Sequence, residues 1–176
     1  MEILKQYLLN HPHDLNEWID QFPWESFGKE IIIHEDEETK IAIAKRVVLH
    51  ANAEVTGLMI CQEAQIGEGA EILGTMVCDK GWISSDAECN YLIAQTITVG
   101  EDAEIRSAII LDSLKMDSGA EIDELETLST TFLDVHEHSL IKKKTELGID
   151  DCRDAIHLRL HVVLESTISQ LDPGVP

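Results

Sequence analysis

Two histidine pairs carry the spacing best suited to chemistry. His136 and His138 are two apart, so on a strand both rings take the same side, while His157 and His161 are four apart and share one face of a helix. Either spacing suits a divalent metal, with Asp134 or Glu137 as an oxygen donor beside the first pair. Neither pair has a third ligand at a convincing position, and isolated histidine pairs are mostly surface residues, so no metal site is assigned. There is no C-x-x-C pair to make a zinc thiolate site. The chain also has no G-x-S-x-G elbow, no G-x-x-x-x-G-K-S/T loop and no G-x-G-x-x-G fingerprint. No catalytic or cofactor-binding residue is therefore expected, and no cofactor.

The second candidate set is a row of glutamates. Ala53-Glu54, Ala70-Glu71, Ala87-Glu88, Ala103-Glu104 and Ala120-Glu121 recur at steps of 17, 17, 16 and 17 residues. Aliphatic residues keep step with them. Leu49, Ile66, Ile83, Val99 and Met116 form one column, and Val55, Ile72, Cys89, Ile105 and Ile122 another. A third holds Ile60, Val77, Ile93, Ile110 and Thr127, if the residue missing from the short step falls between Cys89 and Ile93. Cys61 and Cys78 start a fourth column that continues through Ala94, Leu111 and Leu128 and reads as small core hydrophobes with free thiols.

A repeat this short marks a solenoid, because one unit cannot bury its own apolar face and a stack can. Apolar residues alternate within a unit, as in Ala64, Ile66, Ala70 and Ile72, with Gly, Asp, Asn and Ser at the breaks. The repeat is therefore strand, and the fold class is an all-β solenoid, a parallel β-helix of about 17 residues per coil. Residues 47 to 130 make five coils. Glu30 to Arg46 reads as a degenerate capping coil, with Asp36 and Glu37 in the Ala-Glu slot and Glu38 in the next core position, and Val135 to Ile141 as the cap at the other end.

The expected organisation is an N-terminal helical cap over residues 1–29, a β-helix over 30–141, and a linker with a C-terminal helix over 142–176. Residues 2 to 9 and 14 to 22 read as two short helices broken at Pro12, whose apolar side, extended by Trp24 and Phe27, would cover the open first coil. After Asp150 or Asp151 a helix to about Leu171 is favoured, although strict alternation through Ile156, Leu158, Leu160, Val162 and Leu164 leaves a strand open there. Trp18, Ile19, Phe22, Trp24, Ile156, Leu160, Val163 and Leu164 are the candidate assembly surface.

The formal charge of −21 weighs against nucleic acid as a ligand, since phosphate binding rests on clustered Lys and Arg. Residues 47 to 130 hold sixteen acidic residues against Lys80, Arg106 and Lys115. The dense basic run, Lys142 to Lys144, is expected in a linker or salt-bridged turn. No apolar run spans a bilayer and Met1 to Asn10 is a short amphipathic stretch, which sets a cytoplasmic expectation with at most peripheral membrane contact. Stacked at strand spacing, Glu54, Glu71, Glu88, Glu104 and Glu121 would repel by roughly 0.9 kcal/mol per neighbouring pair in water. They read either as a solubilising edge or as a docking stripe for a basic protein partner or divalent cations.

The stretches Ile41 to Val55, Ile66-Gly-Glu-Gly-Ala-Glu-Ile72 and Val99-Gly-Glu-Asp-Ala-Glu-Ile105 resemble the bactofilins, bacterial polymer-forming cytoskeletal proteins, over about Ile41 to Ile122. That resemblance implies a right-handed β-helix without enzymatic activity or cofactor, stacking end to end as a homo-oligomeric scaffold, often at the inner membrane. The folded flanks and the coil glycine kept only at Gly57 and Gly74 depart from the pattern and point to a capped acidic adaptor or regulator as the alternative. A weaker resemblance, to hexapeptide acyltransferases, rests on Ile66 to Ile72, but that family's coil takes three hexads, about 18 residues, per turn.

Overall fold

The Ala-Glu repeat closes into an all-parallel β-solenoid of about seven coils with a helix along its flank. The computed structural model describes residues 21–171, with the backbone alone over 164–171. The strands are β1 (Glu30–Ile33), β2 (Glu38–Ile43), β3 (Arg46–Leu49), β4 (Glu54–Ile66), β5 (Glu71–Ile83), β6 (Glu88–Val99), β7 (Glu104–Met116), β8 (Glu121–Leu128), β9 (Phe132–Val135) and β10 (Leu140–Leu147). Helix α1 (Ile149–Leu171) follows, and a 3-10 turn, Trp24–Ser26, precedes β1. The expected helix over residues 2 to 9, and that over 14 to 22 as far as residue 20, lie outside the described residues.

Each Ala-Glu pair has a structural reason. The residue two before each glutamate has positive φ, between 55° and 74°: Asn52, Gly69, Asp86, Asp102 and Gly119. Asn, Asp and Gly tolerate that left-handed corner best. The intervening Ala is fully buried in the corner, where a larger side chain has no room. The glutamate then opens the next strand, its backbone N–H donating to the carbonyl of the corner residue one coil back, as in Glu71 to Ala53 at 3.0 Å and Glu104 to Ala87 at 2.9 Å.

The first coil repeats this corner one residue later than the sequence suggests. Asp36 takes the positive-φ position at 59°, and Glu38 pairs in register with Glu54. Glu37-Glu38, not Asp36-Glu37, therefore fills the Ala-Glu slot, and Thr39, paired with Val55, follows it in the inward column. At the other end β10 runs through Leu147, past the boundary expected at 141. Lys142, Lys143 and Lys144 thus lie on a strand rather than in a linker.

Register explains the uneven repeat. The underlying coil has 16 residues, seen complete from Glu38 to Glu54 and from Glu88 to Glu104. Longer coils insert extra residues at one of two corners and leave the Ala-Glu corner unchanged. β4 and β5 insert at the first corner, between Val55 and Leu58 and between Ile72 and Thr75. β7 inserts at the second corner, between Ile110 and Ser113. The expected third column fails for this reason: Ile60, Val77 and Ile93 continue to Ile109 and Glu126. Ile110 and Thr127 instead extend Cys61, Cys78 and Ala94, displacing Leu111 and Leu128 from that column to the corner.

Gly57 and Gly74 sit at the first-corner insertions because the backbones there nearly touch. A Cβ on Gly74 would fall 1.6 Å from the Gly57 carbonyl oxygen, and one on Gly57 would fall 2.4 Å from that of Lys40.

Candidate interaction surfaces

Six glutamates, not five, form the acidic column. Glu38, Glu54, Glu71, Glu88, Glu104 and Glu121 pair in register from coil to coil at strand spacing, about 4.8 Å apart. Leu140 takes their position in the last coil. Glu38 belongs to this column and not to the core position expected of it; Glu37, rather than Ala, precedes it and obscures the register. The C-terminal end of the column is partly neutralised: Lys142 Nζ lies 3.1 Å from Glu121 and 2.8 Å from Asp123. Hydrogen bonds to Asp123 and Glu121 raise the Lys142 pKa above its ordinary value. Lys143 pairs with Glu124 and Lys144 with Glu146, so the basic run is engaged within the last coil and with β8 of the coil before it.

A second feature is the flank. The outward residues of the middle run of β2 and of β4 to β7 are themselves buried: Ile43, Leu58, Ile60, Val77, Ile93 and Ile109 form one cluster with Cys152, Ile156 and Leu160 of α1. Cys152, Ile156, Leu160 and the partly buried Val163 follow helical spacing on one face of α1. A strand run covered on both sides loses its alternation, which is why Leu58-Met-Ile-Cys61 and Ala108-Ile-Ile110 read as unbroken apolar runs. At 1.5 Å per residue the 23 residues of α1 span about 34 Å, matching the height of about seven coils.

The expected assembly surface is therefore largely internal. Phe22 and Trp24 join the same buried cluster, with ring centroids 4.5 Å apart, and sit on the flank rather than over the first coil. Phe22, Trp24, Ile156, Leu160 and Val163 all pack within the chain. Trp18, Ile19 and the side chain of Leu164 lie outside the described residues. Exposed instead on α1 are Ile149, Leu158 and Val162.

The last coil is the third feature. Phe132 is 67%, Leu140 45% and Val135 37% exposed, although Val135 continues the inward column of Leu49, Ile66, Ile83, Val99 and Met116. Among the described residues β9 pairs only with β7 and β10 only with β8, so both keep an unpaired edge. On its middle run the inward register is polar: Lys144 takes the position of Leu125, Glu146 that of Thr127, and the two pair at 3.2 Å.

A groove of about 410 Å³ opens where the second corner meets the start of α1. Leu111 and Asp112, at the β7 insertion, help line it, together with Lys80, Gln95, Leu128 and Arg153. Gln95 is only 6% exposed, and its Nε2 has no hydrogen-bond partner, nor has the buried Nε of Arg153. Nothing in the sequence distinguishes Gln95 from other corner polar residues; only the register shift places it under the helix.

Among the described residues no group of three or more potential metal ligands comes together. The His136 and His138 rings meet edge to face at 5.4 Å, and those of His157 and His161 lie 6.3 Å apart. Cys61, Cys78, Cys89 and Cys152 are free and buried. Burial pushes the Cys61 and Cys78 thiols well up, Cys89 to about 12 and Cys152 to about 11. No helix among the described residues is long and apolar enough to cross a membrane. Compared with known proteins, the chain matches no family model, no curated protein and no solved structure.

Proposed function

We propose that this chain is a non-catalytic scaffold protein, bactofilin-like and built on a right-handed β-helix, that self-associates through the end of its solenoid in the bacterial cytoplasm. The observation that carries the reading is the last coil, where Phe132, Val135 and Leu140 are exposed beside the unpaired edges of β9 and β10. Open strand edges with apolar side chains favour addition of another strand, and natural monomers usually blunt them. The Lys144–Glu146 pair blunts one of the three runs of this coil, so self-association would use the runs bearing Phe132 and Val135 and bearing Leu140. A coil with a 16-residue basis also speaks against the hexapeptide acyltransferase reading, which calls for about 18.

Light scattering over a concentration series, with electron microscopy of the same samples, tests this. The scaffold reading expects mass to grow with concentration, and Phe132→Lys with Leu140→Lys to abolish the growth. A constant monomer mass at every concentration would overturn it.

A second reading, an acidic adaptor for a basic protein, is favoured by the continuous column from Glu38 to Glu121. It expects capture of a basic partner to depend on Glu71, Glu88 and Glu104.

A further inference from the structure

We propose that the groove between the second corner of the solenoid and the first turns of α1 binds a small organic carboxylate with an apolar body. The volume, about 410 Å³, lies in the range of small-molecule sites and exceeds the need of one or two waters. The buried polar atoms left unpaired in its lining are donors. Gln95 Nε2 and Arg153 Nε are both buried and without a hydrogen-bond partner. Natural structures rarely leave such donors orphaned, because each carries an uncompensated desolvation cost.

The two carboxylates in the lining already have partners of their own. Asp112 Oδ2 accepts from Thr96 Oγ1 at 3.5 Å, and Asp79 is engaged with another group. Arg153 spends Nη1 on Asp150 Oδ1 at 3.3 Å, which leaves Nε for the groove. Lys80 adds a cation to the lining. A carboxylate would satisfy both orphan donors through charge-assisted bonds, and an apolar body would rest on Leu111, Leu128 and Ile156.

The two donors come from different elements, Gln95 from β6 and Arg153 from α1. The site is therefore complete only while α1 is seated on the flank, and a bound carboxylate would hold the helix there by mass action. The excess of negative charge works against any anion from a distance, and this repulsion is screened by salt, whereas buried hydrogen bonds are not. Affinity that holds or improves as salt is raised is thus expected here, in contrast to capture by exposed lysines.

The test is calorimetric titration of the full chain with hexanoate, with hexylammonium and 1-hexanol as probes of the same body and different head. Saturable binding of hexanoate alone is expected, weakened about tenfold or more in both Gln95→Leu and Arg153→Met, since each removes a bond to a charged group. In the unaltered chain, hexanoate should also shift the side-chain amide resonances of Gln95, a readout that does not depend on either variant folding. Comparable binding of hexylammonium or 1-hexanol, no saturable binding of hexanoate, or an unmoved Gln95 amide would each overturn the proposal, the second meaning that the groove holds water only.

Discussion

Arg159 of α1 lies over the ring of Tyr91, its guanidinium carbon 4.5 Å from the centroid, and donates from Nη2 to Ser107 Oγ at 2.9 Å. One side chain thus ties the helix to two neighbouring coils through β6 and β7. Ser107 is itself buried, so the pair is shielded from water and worth more than an exposed contact. Arg159→Ala should cost about 1–2 kcal/mol, or a fall in Tm of about 2–8 °C for a chain of this size. Because Cys152 is 2% exposed only while α1 is seated, the same variant should speed its alkylation in native buffer. An unchanged Cys152 labelling rate would show that the apolar seam alone holds the helix.

The glycine contacts set up a paired comparison. Gly74→Ala places a methyl 1.6 Å from the Gly57 carbonyl oxygen, a backbone atom that cannot turn away, whereas Gly81→Ala meets the flexible end of Ile97 at 2.4 Å. The first substitution should cost about 3 kcal/mol or more and the second about 1 kcal/mol. Denaturant midpoints of the two variants check the order.

Much of the solenoid was legible because its period is written in residues that obey one local rule. The left-handed corner at Asn52, Asp86 and Asp102 demands Asn, Asp or Gly, the next position demands Ala, and alternation does the rest. Four things escaped, each for a physical reason. The corner of the first coil reads one residue early because Glu37 stands where the other coils have Ala, and a terminal coil with a neighbour on only one side tolerates that larger residue. The third and fourth columns misalign because coils of equal length insert at different corners, which the residue count alone does not distinguish. The flank seam looked like an assembly surface because apolar residues at Ile156 and Leu160 say that something covers them, not what. The groove at Gln95 depends on both the insertion and the docked helix, so no local pattern announces it.

The buried thiols make stability pH-dependent on the alkaline side. Cys89 is pushed up to about 12 and Cys152 to about 11, from an ordinary value near 9.0. Their raised folded values mean that the folded state keeps protons the unfolded state has lost, so their contribution is whole below pH 9 and is lost as pH rises through the folded values. Between about pH 9 and 11 each should cost up to about 1.4 kcal/mol per pH unit. Cys89→Ala, measured against the unaltered chain, should flatten the fall of Tm across that window while leaving the trend below pH 8 parallel.

Neutralising the middle of the acidic column separates its two readings. Glu71, Glu88 and Glu104 take part in four of the five neighbour contacts of the six-member column, leaving only Glu38 beside Glu54. Each contact is bounded at roughly 0.9 kcal/mol in water and is smaller once salt and splaying act, so the triple Glu→Gln variant should gain about 1–2 kcal/mol. The gain should shrink as sodium chloride is raised towards 1 M, where the screening length falls to about 3 Å and the unaltered chain is relieved of the same repulsion. If the column serves only to keep the edge solvated, that salt-dependent rise in Tm is the whole effect, and basic proteins bind the two chains alike. If it is a docking stripe, retention of a basic partner on the immobilised protein should fall sharply in the triple variant while Tm still rises. Loss of capture in a more stable protein would assign the glutamates to binding, because unfolding cannot explain it.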